Sequence, residues 1–492
     1  MFALLLVLSF IAFAPSFFTD FGMHNDYSMF DNTGNPWLRS IESYAMVEKG
    51  RFLGGILFSV VCASLTTIHD FAKVRVLSYL FAILAAAGII YLLRRRYRLE
   101  ANWSILIAFG ILFLPTSQVN ILWVCEFMQG SFSVFLTVLC CALREASRGK
   151  SKTGTAAAFV LLIAIIFIYP STALFITALF LARLLFLEGP WPAIRRQAWF
   201  DAAFVGLAMA GYRLVDQYIV MNIAAHYGIS SHTGDEGDTG ITGNFLAKLP
   251  LLRQVLLVSL SGAWHPLLQE WGAAIPVAIM GACAACAWHC QKRIAWFSST
   301  ALQKTLFFLV LLALSIAPCL LAKEYFNLSG YRILLPPAAL IVVMLFYALI
   351  QTDSLARRRY HSGIVLALAI AMTLAAFAVC FWNVGNVVNN HDRELKFARA
   401  RINACDTANV NRYLVFRIPV GNAYIKQKMF YEFNFVIKMA GETQSIVTQL
   451  LKEKGTYNPD YRTFFLSEPF IIKLYAPTPQ DCVINLNEAV DK

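Results

Sequence analysis

The sequence predicts a mostly α-helical bundle of about eleven membrane-spanning helices, with a small α/β extracytoplasmic domain at its C-terminal end. Three observations lead there. Of 492 residues, 58% are apolar and only 14% charged, where soluble domains carry roughly a quarter charged residues. The apolar residues gather in long uncharged runs rather than in the short alternating patterns of a water-soluble core. Beyond residue 385 the composition turns polar. A soluble globular enzyme is thereby excluded. The formal charge of +12 reads first as a record of which loops stay in the cytoplasm, and it implies no nucleic-acid partner.

A helix needs about 20 mostly apolar residues to cross a hydrocarbon core of ~30 Å. Eleven runs qualify, near 3–18, 74–93, 102–117, 119–143, 155–169, 170–187, 200–222, 268–290, 304–322, 331–350 and 362–385. The first would be a retained anchor. Its Ala12-Phe13-Ala14 step has the small-x-small look of a signal-peptidase site, but no charged segment precedes the apolar run. The fifth and sixth runs are separated by Tyr169-Pro170-Ser171, read as a turn because proline disfavours helix in the residue before it. Each even-numbered span is followed by a basic cluster: Arg94 to Arg98, Arg144 to Lys152, Arg195 and Arg196, Lys292 and Arg293, and Arg357 to Arg359. By the positive-inside rule these loops, and hence the N-terminus, are expected in the cytoplasm. Residues 52–67 are apolar but break this alternation, so they are read as a helix at the outer interface. An ordinary twelfth span is the alternative.

Two units follow: a transmembrane domain, 1–385, with outer segments at 19–73 and 223–267, and an extracytoplasmic domain, 386–492. In the latter, strand-like stretches at Tyr413–Pro419, Phe430–Lys438 and Thr463–Tyr475 flank a helical stretch from Glu442 to Lys454. Nine of the eleven cysteines lie in or beside spans and behave as small hydrophobes. Cys405 and Cys482 remain, in a compartment that tolerates disulfides, and are expected to pair. Cys283, Cys286, His289 and Cys290 lack a second ligand pair, which argues against a zinc site. No internal repeat, Walker motif, GxGxxG or HExxH occurs, and the cytoplasmic loops leave no room for an ATPase.

Chemistry concentrates in the first outer segment. It carries Asp20, His24, Asp26, Asp31 and Glu42, and then Lys49-Gly50-Arg51. Such a loop can supply a carboxylate to deprotonate a hydroxyl and cations to hold a phosphate, although a solvated polar loop has the same composition. Elsewhere, Arg213 and Asp216 share a helix face and either neutralise each other or line a cavity. Glu126 and Gln129 face a site or another helix. His265 is an interfacial anchor or a ligand. The glycine-rich, acidic stretch from His226 to Asn244 either gates an acceptor or is disordered.

The Asn25-Asp26 step, Trp37, Gly50-Arg51 ahead of an apolar interfacial helix, Asp70 and Arg75 together resemble the first outer loop of the integral-membrane GT-C glycosyltransferases. More narrowly they resemble the phage-type serotype-converting O-antigen glucosyltransferases, which have an Asp-Asp step where this chain has Asp26-Tyr27. Tyr331-Arg332 with Pro336-Pro337 is similar to the Arg-Tyr-x-x-x-Pro element of many GT-C enzymes. The resemblance implies transfer of a sugar from a polyprenyl-phosphate donor to a lipid-linked or surface glycan, with inversion, beside membrane lipids. It implies Asp26 as base with Asp20 as competitor. Arg51 and Arg332 would be the phosphate ligands, with Arg75 and His24 as secondary candidates; Asp31, Glu42, Glu126 and Tyr331 complete the candidate substrate site. Mg²⁺ or Mn²⁺ could sit among the loop carboxylates, or no metal at all. Two other readings stand beside this one: a transporter or flippase of a lipid-linked glycan, and an O-antigen polymerase or ligase.

Overall fold

The computed structural model describes residues 1–30, 46–47, 50–148, 150–220, 222, 248–261, 277–283, 299–318, 332–360, 363–405, 412–416, 440–456, 462–466, 478 and 481–485. Most of these are helical. Among the described residues four stretches are long and apolar enough to cross a membrane: Asp70–Arg96, Val124–Ser147, Leu335–Ser354 and Ile364–Ala404. A fifth results if Ala101–Leu112 and Pro115–Leu122, bent by 61°, form one broken span.

In chain order the helices are α1 (Phe2–Phe17), α2 (Phe52–Ala63), α3 (Asp70–Tyr91), α4 (Ala101–Leu112), α5 (Pro115–Leu122), α6 (Ser133–Ser147), α7 (Lys152–Ile168), α8 (Pro170–Ala173), α9 (Ile176–Phe186), α10 (Trp191–Val215), α11 (Leu249–Ser261), α12 (Ser299–Ser315), α13 (Leu335–Tyr360) and α14 (Ile364–Ala404). Apolar side chains from α1 to α14 make one continuous core. Where α3 and α6 cross, Gly88 lets the backbones close up, since a Cβ there would lie 2.6 Å from Val138 Cγ1. Contact through small residues is the usual way helices associate where hydrocarbon offers no hydrophobic drive. Ser78 Oγ on α3 lies 2.9 Å from both Asn120 O, to which it can donate, and Ser131 Oγ, from which it can accept, and this satisfies its hydroxyl inside the bundle.

The helix limits depart from the sequence reading in several places. The expected third span ends early, because Leu114 adopts φ −60°, ψ 141° ahead of Pro115, and α5 starts afresh with proline in its first turn. The seventh begins at Trp191 rather than 200. Helix α11 occupies part of what reads as an outer loop and packs on α13. Helix α14 runs 41 residues without interruption, about 60 Å at 1.5 Å per residue. It therefore carries straight across the boundary placed at 385. Helix α2 has 12 residues, about 18 Å, too short to cross ~30 Å of hydrocarbon. The expected eighth span lies mostly outside the described residues.

Beyond α14 three strands, β1 (Arg412–Phe416), β2 (Arg462–Leu466) and β3 (Asp481–Asn485), form a parallel sheet in the order β2-β1-β3. Parallel neighbours need a crossover, and α15 (Ala440–Lys454) lies between β1 and β2 in the chain. It buries Ile446, Val447, Leu450 and Leu451. Strand β3 went unread in the sequence, and the expected strand at Phe430–Lys438 lies outside the described residues. Cys405, the cap of α14, is disulfide-bonded to Cys482 on β3, with Cα atoms 5.8 Å apart. The sheet is thereby fixed to the end of the long helix.

Candidate functional site

Two polar clusters sit where residues 19–73 meet the bundle. The first centres on Asp26, in a 3-10 helix from His24 to Phe30. Its carboxylate is fully buried. Oδ2 accepts from the N–H of Met23 at 2.8 Å and of Val124 at 3.4 Å, and Oδ1 from the N–H of Cys125 at 2.8 Å. Val124 and Cys125 open the span that ends at Ser147, so Asp26 caps a helix start, where an anion meets unpaired N–H groups and the positive end of the dipole. Burial nevertheless dominates: it lifts the carboxyl to about 6, against the lowering effect of these hydrogen bonds and of Arg75. Beside it, Tyr27 Oη accepts from Gly22 N at 2.9 Å, and burial pushes its hydroxyl above the usual tyrosine range.

Arg75 on α3 is equally buried. Its Nε donates to Leu122 O at 3.1 Å, at the end of α5. Nη1 donates to Ser16 O and Thr19 O at 3.3 Å, and Nη2 to Phe21 O, all at or just past the end of α1. The guanidinium also lies over the Phe21 ring, 3.5 Å from its centre. One cation thus closes the carbonyl ends of two helices, the favourable end of each dipole for a positive charge.

Among the described residues Asp20 is a carboxylate open to solvent, with 36% of its side chain exposed, and its Oδ1 lies 2.9 Å from His69 Nδ1. Two residues that the sequence did not single out, His391 and Glu394, both buried on α14, adjoin this cluster, Glu394 through its charge on Tyr27. His391 stacks on Phe21 with ring centres 6.0 Å apart. Helix α15 packs over the 3-10 helix that carries Asp26. Gln449 Nε2 donates to Thr66 O at 3.0 Å, and Glu453 accepts from Ile68 N at 3.4 Å.

The second cluster forms around Arg51, at the N-cap of α2. Its Nη1 donates to Gln129 Oε1 at 2.8 Å, and its guanidinium sits 4.6 Å from the centre of the Tyr169 ring. Glu126, one turn before Gln129, is buried. Gly50 has φ +73°, a conformation that glycine adopts without steric cost. Its carbonyl accepts from Tyr212 Oη at 3.1 Å. Asp216, buried at the end of α10, lies beside it and accepts from Arg213 Nη1 at 3.4 Å. Tyr212 joins this site from 162 positions along the chain, a distance at which no local pattern announces it, whereas Asp216 stands out in the sequence beside Arg213. Gly50→Ala is expected to destabilise the protein by about 1–2 kcal/mol from the left-handed backbone alone. A new Cβ would also stand 2.9 Å from Tyr212 Oη. An unchanged unfolding midpoint in detergent would count against that geometry.

The remaining sequence candidates are placed only in part. His24 opens the 3-10 helix and Arg332 opens the turn before α13. Asp31, Glu42 and Tyr331 lie outside the described residues, as do His265 and the whole stretch from His226 to Asn244. Asp26 faces N–H donors, the wrong polarity for a divalent cation, and Asp20 pairs with an imidazole; among the described residues these carboxylates do not build the oxygen cage that Mg²⁺ or Mn²⁺ needs. The chain matches no protein-family model, no curated protein and no solved structure.

Proposed function

We propose that this protein is an integral-membrane glycosyltransferase of GT-C type. It would move glucose or another hexose from a polyprenyl-phosphate donor to a lipid-linked or surface glycan, such as O-antigen, at the outer face of a bacterial inner membrane. In this reading eleven spans cross the bilayer from a cytoplasmic N-terminus, and the region after α14 is an outer α/β domain. One observation carries the reading. The six residues Val124–Gln129 are bound at their start by Asp26 and at their end by Arg51, which brings a carboxylate and a cation to the mouth of one span.

The chemistry asks for little more. A carboxylate takes the proton of the acceptor hydroxyl as its oxygen attacks the anomeric carbon, and the bond to the phosphate oxygen breaks. The departing lipid phosphate carries a developing charge that an arginine fork stabilises. Asp26 is largely ionised at pH 7 with a carboxyl lifted to about 6, but its oxygens are engaged by backbone donors. Asp20 is directly reachable. The two aspartates then divide the work: Asp20 meets substrate, or Asp26 does so after releasing a donor.

The full-length chain in proteoliposomes, supplied with a radiolabelled polyprenyl-phosphate hexose and a lipid-linked glycan acceptor, tests this. Asp20→Asn should cut the transfer rate by about 10²-fold or more if Asp20 is the base. Arg51→Gln should cut it by about 10²–10³-fold. Full transfer in both variants, and in Asp26→Asn, rejects the enzyme reading. Movement of labelled lipid-linked glycan across the bilayer without sugar transfer would replace it with the transporter reading, to which the broken α4–α5 span is suited.

A further inference from the structure

A second built feature lies at the opposite ends of the same helices, where the basic loops are. Asp201 on α10 is buried among three arginines. Arg144 Nη2 reaches it at 2.6 Å and Arg148 Nη2 at 3.3 Å, and Arg183 bonds its other oxygen. Glu145 takes Arg148 at 3.1 Å and Arg183 at 3.5 Å. Three guanidiniums against two carboxylates leave one positive charge in excess. Such a network is costly to desolvate and is expected to face a polar opening or a counter-charge.

It does face an opening. A cavity of about 360 Å³ lies between α7 and α10, and Arg144 and Arg148 are among the residues that line it. Its polarity is graded along the helices. Thr155 and Gln197 line it toward the starts of α7 and α10, Phe159 and Leu207 line it about one and three turns further along, and Phe204 lies between with its ring 3.9 Å from the Arg144 guanidinium. Phe200 and Leu207 on its rim are 53% and 62% exposed, as side chains that meet hydrocarbon would be. Exposed Lys150, Lys152, Arg195 and Arg196 lie at or near the starts of α7 and α10 and add positive charge to that end of the helices.

We propose that this groove holds the headgroup of an anionic phospholipid from the leaflet next to the basic loops. The phosphate would lie against Arg148, the most open of the three arginines, and an acyl chain would run along Phe159 and Leu207. The excess charge, the direction of the polarity gradient and the lateral opening toward lipid select this occupant over a zwitterionic one. Arg144 and Arg183 keep both carboxylates paired without Arg148, so the network survives its removal. The assignment does not depend on the activity proposed above.

The experiment is native mass spectrometry of the full-length protein released from nanodiscs of phosphatidylglycerol and phosphatidylcholine in equal amounts. Wild-type protein should retain about one phosphatidylglycerol, in preference to phosphatidylcholine. Arg148→Gln should weaken retention about fivefold, the effect of one guanidinium near an anionic lipid. Thr155→Trp, which fills the groove with every charge kept, should abolish it. Arg95→Gln, which removes an exposed charge from a different basic loop, should change nothing. Equal retention of the two lipids, an equal loss in Arg95→Gln and Arg148→Gln, or full retention in Thr155→Trp each overturns the proposal.

Discussion

Replacing Arg75 with methionine is expected to cost the fold about 3–5 kcal/mol, the loss typical when one member of a buried charged network is removed. Methionine has similar length and packs well in an apolar core, so the effect comes from the charge and its hydrogen bonds. Four carbonyls lose their donor: those of Ser16, Thr19 and Phe21 past the end of α1, and that of Leu122 at the end of α5. Buried at the ends of two helices, each is an acceptor that water cannot easily reach, and each unmade bond costs about 1–3 kcal/mol. The favourable interaction of a cation with two negative helix ends disappears with them. Asp26 also loses the cation that favours its charged form. Arg75→Lys should recover only part, because an ammonium is a single point charge and cannot fork across carbonyls from two helices. Unfolding of the full-length protein in detergent by urea measures the series. Wild type, lysine and methionine should rank in that order, and an unchanged midpoint for methionine would rule out the keystone role.

Much of the bundle is legible because a bilayer leaves few choices. Any segment in hydrocarbon has to satisfy its backbone internally, so long uncharged runs become helices. What escapes is how those runs end. The Pro115 signal is present in the sequence, yet apolar residues continue on both sides of it, and hydropathy alone runs across the break. Helix α14 is the opposite case. Charge and asparagine enter after 385, yet Val387, His391, Leu395, Ala398 and Ile402 keep the helical spacing and are buried. The period persists while the composition changes, and reading composition alone places a boundary where the backbone has none.

The site divides the same way. Asp26, Arg75 and Arg51 stand out in sequence because ionisable groups beside apolar runs are conspicuous. Their partners do not, because those of Asp26 and Arg75 are mainly backbone N–H and C=O groups, which every residue has. Asp26 to Cys125 spans 99 positions and Tyr212 to Gly50 spans 162. A charged side chain thus advertises itself while the helix end it caps stays silent.

The acid limb of stability provides the other large effect, and its sign follows from burial. The carboxyl of Asp26 moves from 3.8 to about 6 on folding. The folded protein therefore holds this proton more tightly than the unfolded chain does. Between about pH 4 and pH 6 the folded state is the more protonated, so stability falls as pH rises through that window. The stabilisation is fully present below pH 4 and is gone above the folded value. A shift of about two units corresponds to about 3 kcal/mol. Other carboxylates titrate in the same range, so the measurement is a difference: unfolding free energy of wild type less that of Asp26→Asn, at steps from pH 4 to pH 7.5. Asparagine cannot titrate, and everything common to both proteins cancels. The difference should decline by about 3 kcal/mol up to pH 6 and then level. A flat difference would mean that the N–H groups of Met23, Val124 and Cys125, together with Arg75, fully offset burial. A rising one would mean that they exceed it. A decline identifies Asp26 as a carboxylate held at the edge of ionisation by its surroundings, and so more basic at neutral pH than an aspartate on the surface.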